Sequence, residues 1–193
     1  METILDYGSG DRIKGHLEVI KLYVDGTEEV HFSDKNVITS GMGYTLLAAF
    51  ASSGPGTIEP FQIQYFQLGA SGDYSRQVSS TGDLAAPLTS VQYGTANFEI
   101  STHDLSSGTP TANQVFGIIP WPYIKKVSPT RVMYQVMVGD EAVNGITINE
   151  IGLFSRNPNS SATEGSYLCA YRYFTPLAKQ DSFSVLFRWT IEF

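Results

Sequence analysis

Residues 183–193 alternate. Phe183, Val185, Phe187, Trp189, Ile191 and Phe193 share one parity. Ser184, Arg188, Thr190 and Glu192 share the other, and only Leu186 is out of step. A period of two buries one face and wets the other, which predicts a long half-buried β-strand. A strand of this kind needs a sheet beside it and a second apolar layer above it.

Residues 146–154 supply apolar side chains for such a layer, and we expect them to partner the last strand. Their alternation slips: Ile146 and Ile148 share a parity, while Ile151 and Leu153 share the opposite one. An uncorrected slip sends half the apolar set into water. A β-bulge at Asn149 and Glu150 absorbs it. Glu150 then carries a carboxylate into a strand core. Its expected partners are amides left unpaired by the bulge, or Arg172 or Arg188, because a buried carboxylate persists only when satisfied.

The remainder reads as strands between turns. Asp25 and Gly26 give a hairpin signal between strands at about 12–24 and 29–32. The first of these also changes phase, from Ile13, Leu17 and Val19 to Ile20, Leu22 and Val24, so it either bends between two sheets or is buried on both faces. Ser40 is placed to cap one short helix at about 41–51. Met42, Leu46, Leu47 and Phe50 form its expected inward stripe. Further strands are expected at 61–68, 97–102, 131–138, 167–174 and 183–193. Loops are expected at 70–95, 103–114, 120–128, 156–166 and 176–181, after an extended lead-in at 1–10. Trp121 and Tyr123 stand between and after Pro120 and Pro122. Proline lacks the N–H a central ladder needs, so this segment is an edge or a crossing between sheets and a candidate docking patch. The sum is a single all-β domain over residues 1–193, an antiparallel, jelly-roll-like β-sandwich with one helix.

Composition narrows the function. Charged residues are only 16% of the 193 and the net charge is −7. Phosphate backbones repel such a chain, so no nucleic-acid partner is expected. No apolar run reaches membrane-spanning length. Residues 1–3 open without a basic start or an apolar stretch, which predicts a soluble protein that folds in a cytoplasm. His16, His31 and His103 show no metal spacing, and no nucleophile elbow, dinucleotide loop or calcium loop is present. No catalytic residue, metal or cofactor is expected. Cys169, the single cysteine, reads as a small, partly buried side chain.

A set of segments carries a family likeness. Gly15, His16 and Leu17 open a strand and hairpin. Residues 36–41 enter the short helix, and residues 63–68 close on Gly69. Glu150, Ile151, Gly152, Leu153 and Phe154 precede residues 168–174, then Lys179, then Trp189 in the aromatic last strand. This order resembles a group of small tailed-bacteriophage virion proteins, comprising tail, baseplate and fibre-attachment components and some head or neck decorations. The resemblance covers most of the chain outside residues 70–130. It implies a non-enzymatic part of the virion, assembled in the host cytoplasm, present in symmetric copies and bound to other virion proteins. A capsid decoration protein or a carbohydrate-binding receptor-recognition module is the alternative, since 12% of the residues are aromatic and exposed rings are suited to sugars.

Overall fold

The computed structural model describes residues 13–51, 62–69, 119, 121–155 and 167–193. The strands are β1 (Lys14–Tyr23), β2 (Glu28–Lys35), β3 (Val37–Ile38), β4 (Tyr65–Gly69), β5 (Ile124–Ser128), β6 (Arg131–Val138), β7 (Thr147–Phe154), β8 (Leu168–Ala178) and β9 (Phe183–Glu192), with helix α1 at Ser40–Ala51. They form two antiparallel sheets that pack as a sandwich, ordered β2-β1-β9-β6-β5 and β3-β8-β7-β4. The expected lead-in at 1–10, the strand at 97–102, the loops at 70–95, 103–114 and 156–166, and His103 lie outside the described residues.

β9 is the middle strand of the first sheet, and its side chains are alternately buried and half-buried along its whole length. It pairs with β1 and β6 without a register break, so Trp189 lies between Leu17 and Tyr134, and Phe187 between Val19 and Val136. The same parity therefore faces the core on three adjacent strands.

The expected pairing of residues 146–154 with 183–193 is corrected. β7 belongs to the second sheet, between β8 and β4. Both neighbours of β9 are taken, by β1 over ten residue pairs and by β6 over eight. The two strands meet instead through one shared core, which holds Ile148, Ile151 and Leu153 with Val185, Phe187 and Trp189.

The break in β7 lies where expected, between Ile148 and Glu150, but the surplus residues are on the partner. Ile148 faces Leu177 and Glu150 faces Tyr173, so β8 places residues 174–176 against Asn149 alone. Pro176 accounts for the side chosen, because it has no N–H for the ladder. The expected loop at 176–181 is corrected, since β8 runs on to Ala178, and so is the expected loop at 120–128, where β5 (Ile124–Ser128) pairs with β6. Beyond the break β7 is buried on both faces. Ile151 and Leu153 join the main core, and Phe154 joins a second cluster with Leu168 and Tyr171.

β1 resolves its phase change in the same way. It stays in one sheet, and its register against β2 shifts between Val19 and Ile20. Ile20 then faces Val30 on one side and Leu186 on the other, and Leu186 faces Met137. These four residues make an apolar row across the outer face of the first sheet. Leu186, out of step in the sequence, belongs to that row.

α1 departs from its expected stripe. Met42 and Thr45 are buried, and Leu46 packs on the core, but Leu47 is 64% and Phe50 85% exposed. At 3.6 residues per turn, Met42, Thr45, Leu46 and Ala49 share one side, and Tyr44, Leu47 and Phe50 fall opposite. Thr45 takes the inward position because its hydroxyl lies 3.3 Å from the Cys169 thiol.

Core packing generates a direct test. The Trp189 indole is buried, and its Nε1 has no hydrogen-bond partner among the described residues. Trp189→Ala is expected to cost about 3–5 kcal/mol in urea unfolding through loss of area and cavity formation. Trp189→Phe, which sacrifices no hydrogen bond, is expected to cost about 1–1.5 kcal/mol. Equal losses for the two variants would show that the ring's packing is not what Trp189 supplies.

Candidate functional site

Two polar clusters and two apolar patches stand out. The first cluster is built on Glu150. β7 carries it fully buried into the second sheet, beside Gly69 on β4 and Tyr173 on β8. The Tyr171 hydroxyl donates to its Oε2 at 3.0 Å. Gly69 makes the room: a Cβ there would overlap the Glu150 carboxylate. The two arginines expected as partners have other carboxylates in reach. Arg172 pairs with Asp34 and lies over the Phe32 ring, and Arg188 pairs with Glu18 at 3.1 Å. The arrangement is a buried strand carboxylate bonded by a tyrosine hydroxyl, and Ile151, Gly152, Leu153 and Phe154 beside it on β7, with Trp189 in the opposite sheet, are buried.

The second cluster centres on Lys179, just past the end of β8. Its ammonium is almost fully buried and donates to Asp140 O at 3.1 Å, Asn144 Oδ1 at 3.0 Å and Gln180 O at 2.6 Å. It also lies over the Phe183 ring at 5.3 Å. Two main-chain bonds reinforce it, Gly145 N to Lys179 O and Lys179 N to Ile146 O, each at 3.0 Å. The clamped loop holds Val143 at φ 64°, a left-handed conformation that costs a β-branched residue about 1–3 kcal/mol. Lys179 is therefore a cation built into the fold that fastens the β6–β7 connection. Burial pushes its pKa down to about 8, against the opposing effect of Asp140 and Asp181.

Cys169 is fully buried, beyond the partial burial expected, and burial pushes its thiol up to about 11. A protonated, enclosed thiol is a poor nucleophile. His16 bonds the Ser33 hydroxyl at 3.0 Å, and His31 donates Nε2–H to Thr175 O at 2.9 Å. Among the described residues no three His, Cys, Asp or Glu side chains gather as a metal set.

The apolar patches are on the outside. α1 contains no charged residue, and Tyr44, Leu47 and Phe50 face outward. Tyr44 stacks on Tyr167 at 5.7 Å, which extends the patch onto the start of β8. The second patch is Trp121, 55% exposed on a 3-10 turn that leads into β5, an edge strand. Ile119 N donates to Gln64 O at 2.7 Å, so the chain here crosses from the β4 side of one sheet to the edge of the other. Of the two candidate interface residues, Trp121 points out, while Tyr123 packs against the core. The helix patch escaped the sequence reading because both of its faces are apolar. The missed signal was that no residue from 40 to 51 carries charge. No protein-family model, curated protein or solved structure matches this chain.

Both clusters yield measurements. Glu150→Gln places two amide hydrogens in a site shaped for a carboxylate, and Gly69→Ala drives a methyl group into it. Each is expected to lower the unfolding free energy by about 1–3 kcal/mol in chemical denaturation. A parental midpoint for both would remove the structural role given to Glu150.

Alkaline titration separates the buried groups. Lys179 has a lowered folded pKa, so between pH 8 and its ordinary 10.5 only the unfolded chain holds that proton, and stability rises with pH. Cys169 has a raised folded pKa, so between its ordinary 9.0 and 11 only the unfolded chain loses that proton, and stability falls. Tyr134, also raised by burial, adds to the fall above 10.0. Stability is therefore expected to climb from pH 8 to 9 and to decline above 10. Cys169→Ala is expected to recover about 2–3 kcal/mol of that decline by pH 11. An unchanged decline in this variant would contradict the assignment to the thiol.

Proposed function

We propose that this chain is a structural subunit of a tailed-bacteriophage virion, placed in the tail, baseplate, fibre-attachment or neck region. It works by protein–protein assembly rather than by catalysis, and it enters the particle after folding in the host cytoplasm. The observation that carries this reading is the uncharged helix α1, which turns Tyr44, Leu47 and Phe50 outward. Contiguous exposed apolar surface of this kind marks interaction sites. Trp121 supplies a second apolar contact on another element, and tryptophan is enriched at the energetic centre of interfaces. Two dissimilar patches on one subunit suit heterologous contacts, which close into rings when the rotation allows it. The sequence likeness around Glu150, Phe154 and Trp189 adds the virion setting. Capsid decoration uses the same kind of contact, and the particle location distinguishes the two.

The test is complementation of particles with Leu47→Asp/Phe50→Asp. Both positions are solvent-facing, so the folded stability is expected to stay within about 0.5 kcal/mol of the parent. Incorporation into purified particles is expected to fall at least tenfold. Parental incorporation would remove α1 from the contact. Absence of the parent chain from purified particles would overturn the virion reading itself.

A further inference from the structure

The first sheet ends in two strands of opposite charge. Among the described residues β2 pairs only with β1 and β5 only with β6, so each leaves one side of its backbone open. Residues 21–30 hold Asp25, Glu28 and Glu29 against one lysine, Lys21. Residues 121–130 hold Lys125 and Lys126 and no carboxylate. Glu29 is already bonded by Lys21 and by the Tyr23 hydroxyl. Glu28, Lys125 and Lys126 are exposed and form no ion pair among the described residues. The later residues of β2 reach over to β8, where His31 bonds Thr175 O and Asp34 pairs with Arg172, so the open length is residues 28–30.

Like edges repel. Lysines on an edge guard it against a copy of itself, and like charges directly opposite are destabilising. β5 beside β5 sets Lys125 and Lys126 against lysines, and β2 beside β2 sets Glu28 and Glu29 against carboxylates. β5 beside β2 removes both conflicts, and the order of side chains matches. Trp121, Lys125, Lys126 and Val127 follow one another at the spacing of Val24, Glu28, Glu29 and Val30. The apolar members of both sets are exposed.

Direction and facing match as well. Four antiparallel pairings separate β2 from β5, an even number, so the two strands run the same way. A second copy turned about an axis along the strands therefore brings its β5 beside β2 in parallel. Lys125 lies opposite Met133, and Glu28 opposite Leu22, both on the outer parity of the sheet set by Thr190 and Ser184 of β9. Lys126 and Glu29 share the inner parity, opposite Val132 and Lys21. We propose that β5 of one copy pairs in parallel with β2 of the next, Lys125 against Glu28 and Trp121 against Val24 on the β1–β2 turn, so that the first sheet runs on from subunit to subunit. The contact joins two different edges, so it is head-to-tail, and it closes as a ring or continues as a filament. It supplies the partner for the Trp121 side of the assembly reading and rests on that reading for its setting in a particle, while the pairing itself is a property of the purified chain.

The experiment is sedimentation of the full chain from about 10 μM to about 1 mM, which spans weak contacts, in about 50 mM salt, where exposed charges are little screened. The average mass is expected to rise with concentration past twice the 21.2 kDa of one chain. Lys125→Glu and Glu28→Lys are each expected to raise the dissociation constant at least tenfold, because each sets like charges together across the contact. The double variant Glu28→Lys/Lys125→Glu is expected to return to within about threefold of the parent, a rescue that loss of fold would not give. A parent that stays monomeric throughout overturns the proposal and leaves the α1 contact and the virion reading untouched. A mass that levels off at two copies overturns it as well, as does association that the single variants do not weaken or the double variant does not restore.

Discussion

The unbroken ladder of β9 with β1 and β6 is the constraint on which the architecture rests. Residues paired across three strands must keep the same parity toward the core. Leu17, Trp189 and Tyr134 form one such row, and Val19, Phe187 and Val136 the next. The opposing sheet packs Ile148, Ile151, Leu153 and Phe174 onto this wall. A slip of one residue in β9 would turn all of its own core side chains outward at once.

Three departures from regular pairing occur where a second face is buried, while a fourth, between Lys126 and Ser128, lies in the exposed edge strand β5. The register breaks beside Val19, Ile148 and Leu153 each let a strand pack on both sides. Glu150 sits in one of these places, where Gly69 leaves room for its carboxylate and a hydrogen bond from the Tyr171 hydroxyl offsets part of its desolvation. β8 shows a related solution at its free edge. β3 covers only Ala170 and Tyr171, and side chains of β2 protect the remainder: His31 bonds Thr175 O, Asp34 pairs with Arg172, and Phe32 packs on Phe174 at 6.1 Å. Covering an edge in this way denies it to other chains.

Scarcity of charge shapes the outer surface. Several of the described carboxylates and cations pair with one another, as in Lys21–Glu29, Arg131–Glu192 and Arg188–Glu18. Exposed pairs of this kind add little stability individually. They leave α1 and Trp121 without a charged screen of their own sequence, and contact with a neighbouring protein is the natural use of such surface.

The sequence by itself determined the all-β class, the last strand and its buried parity, the helix at about 41–51 and the positions of the phase slips. These follow from local periodicity, which one strand or one helix expresses without reference to its neighbours. Tertiary structure alone decided that β7 and β9 lie in different sheets, that β8 rather than β7 carries the surplus residues, and that Leu47 and Phe50 face out while Thr45 faces in. Partner choice follows from register over long distances along the chain, and Pro176 acts on a strand it merely pairs with. A helix apolar on both sides carries no local sign of which side is covered. Lys179 shows the same limit: its three oxygens come from Asp140, Asn144 and Gln180, and two of those lie some thirty-five residues or more upstream, brought to the ammonium only by the closing of β7 on β8.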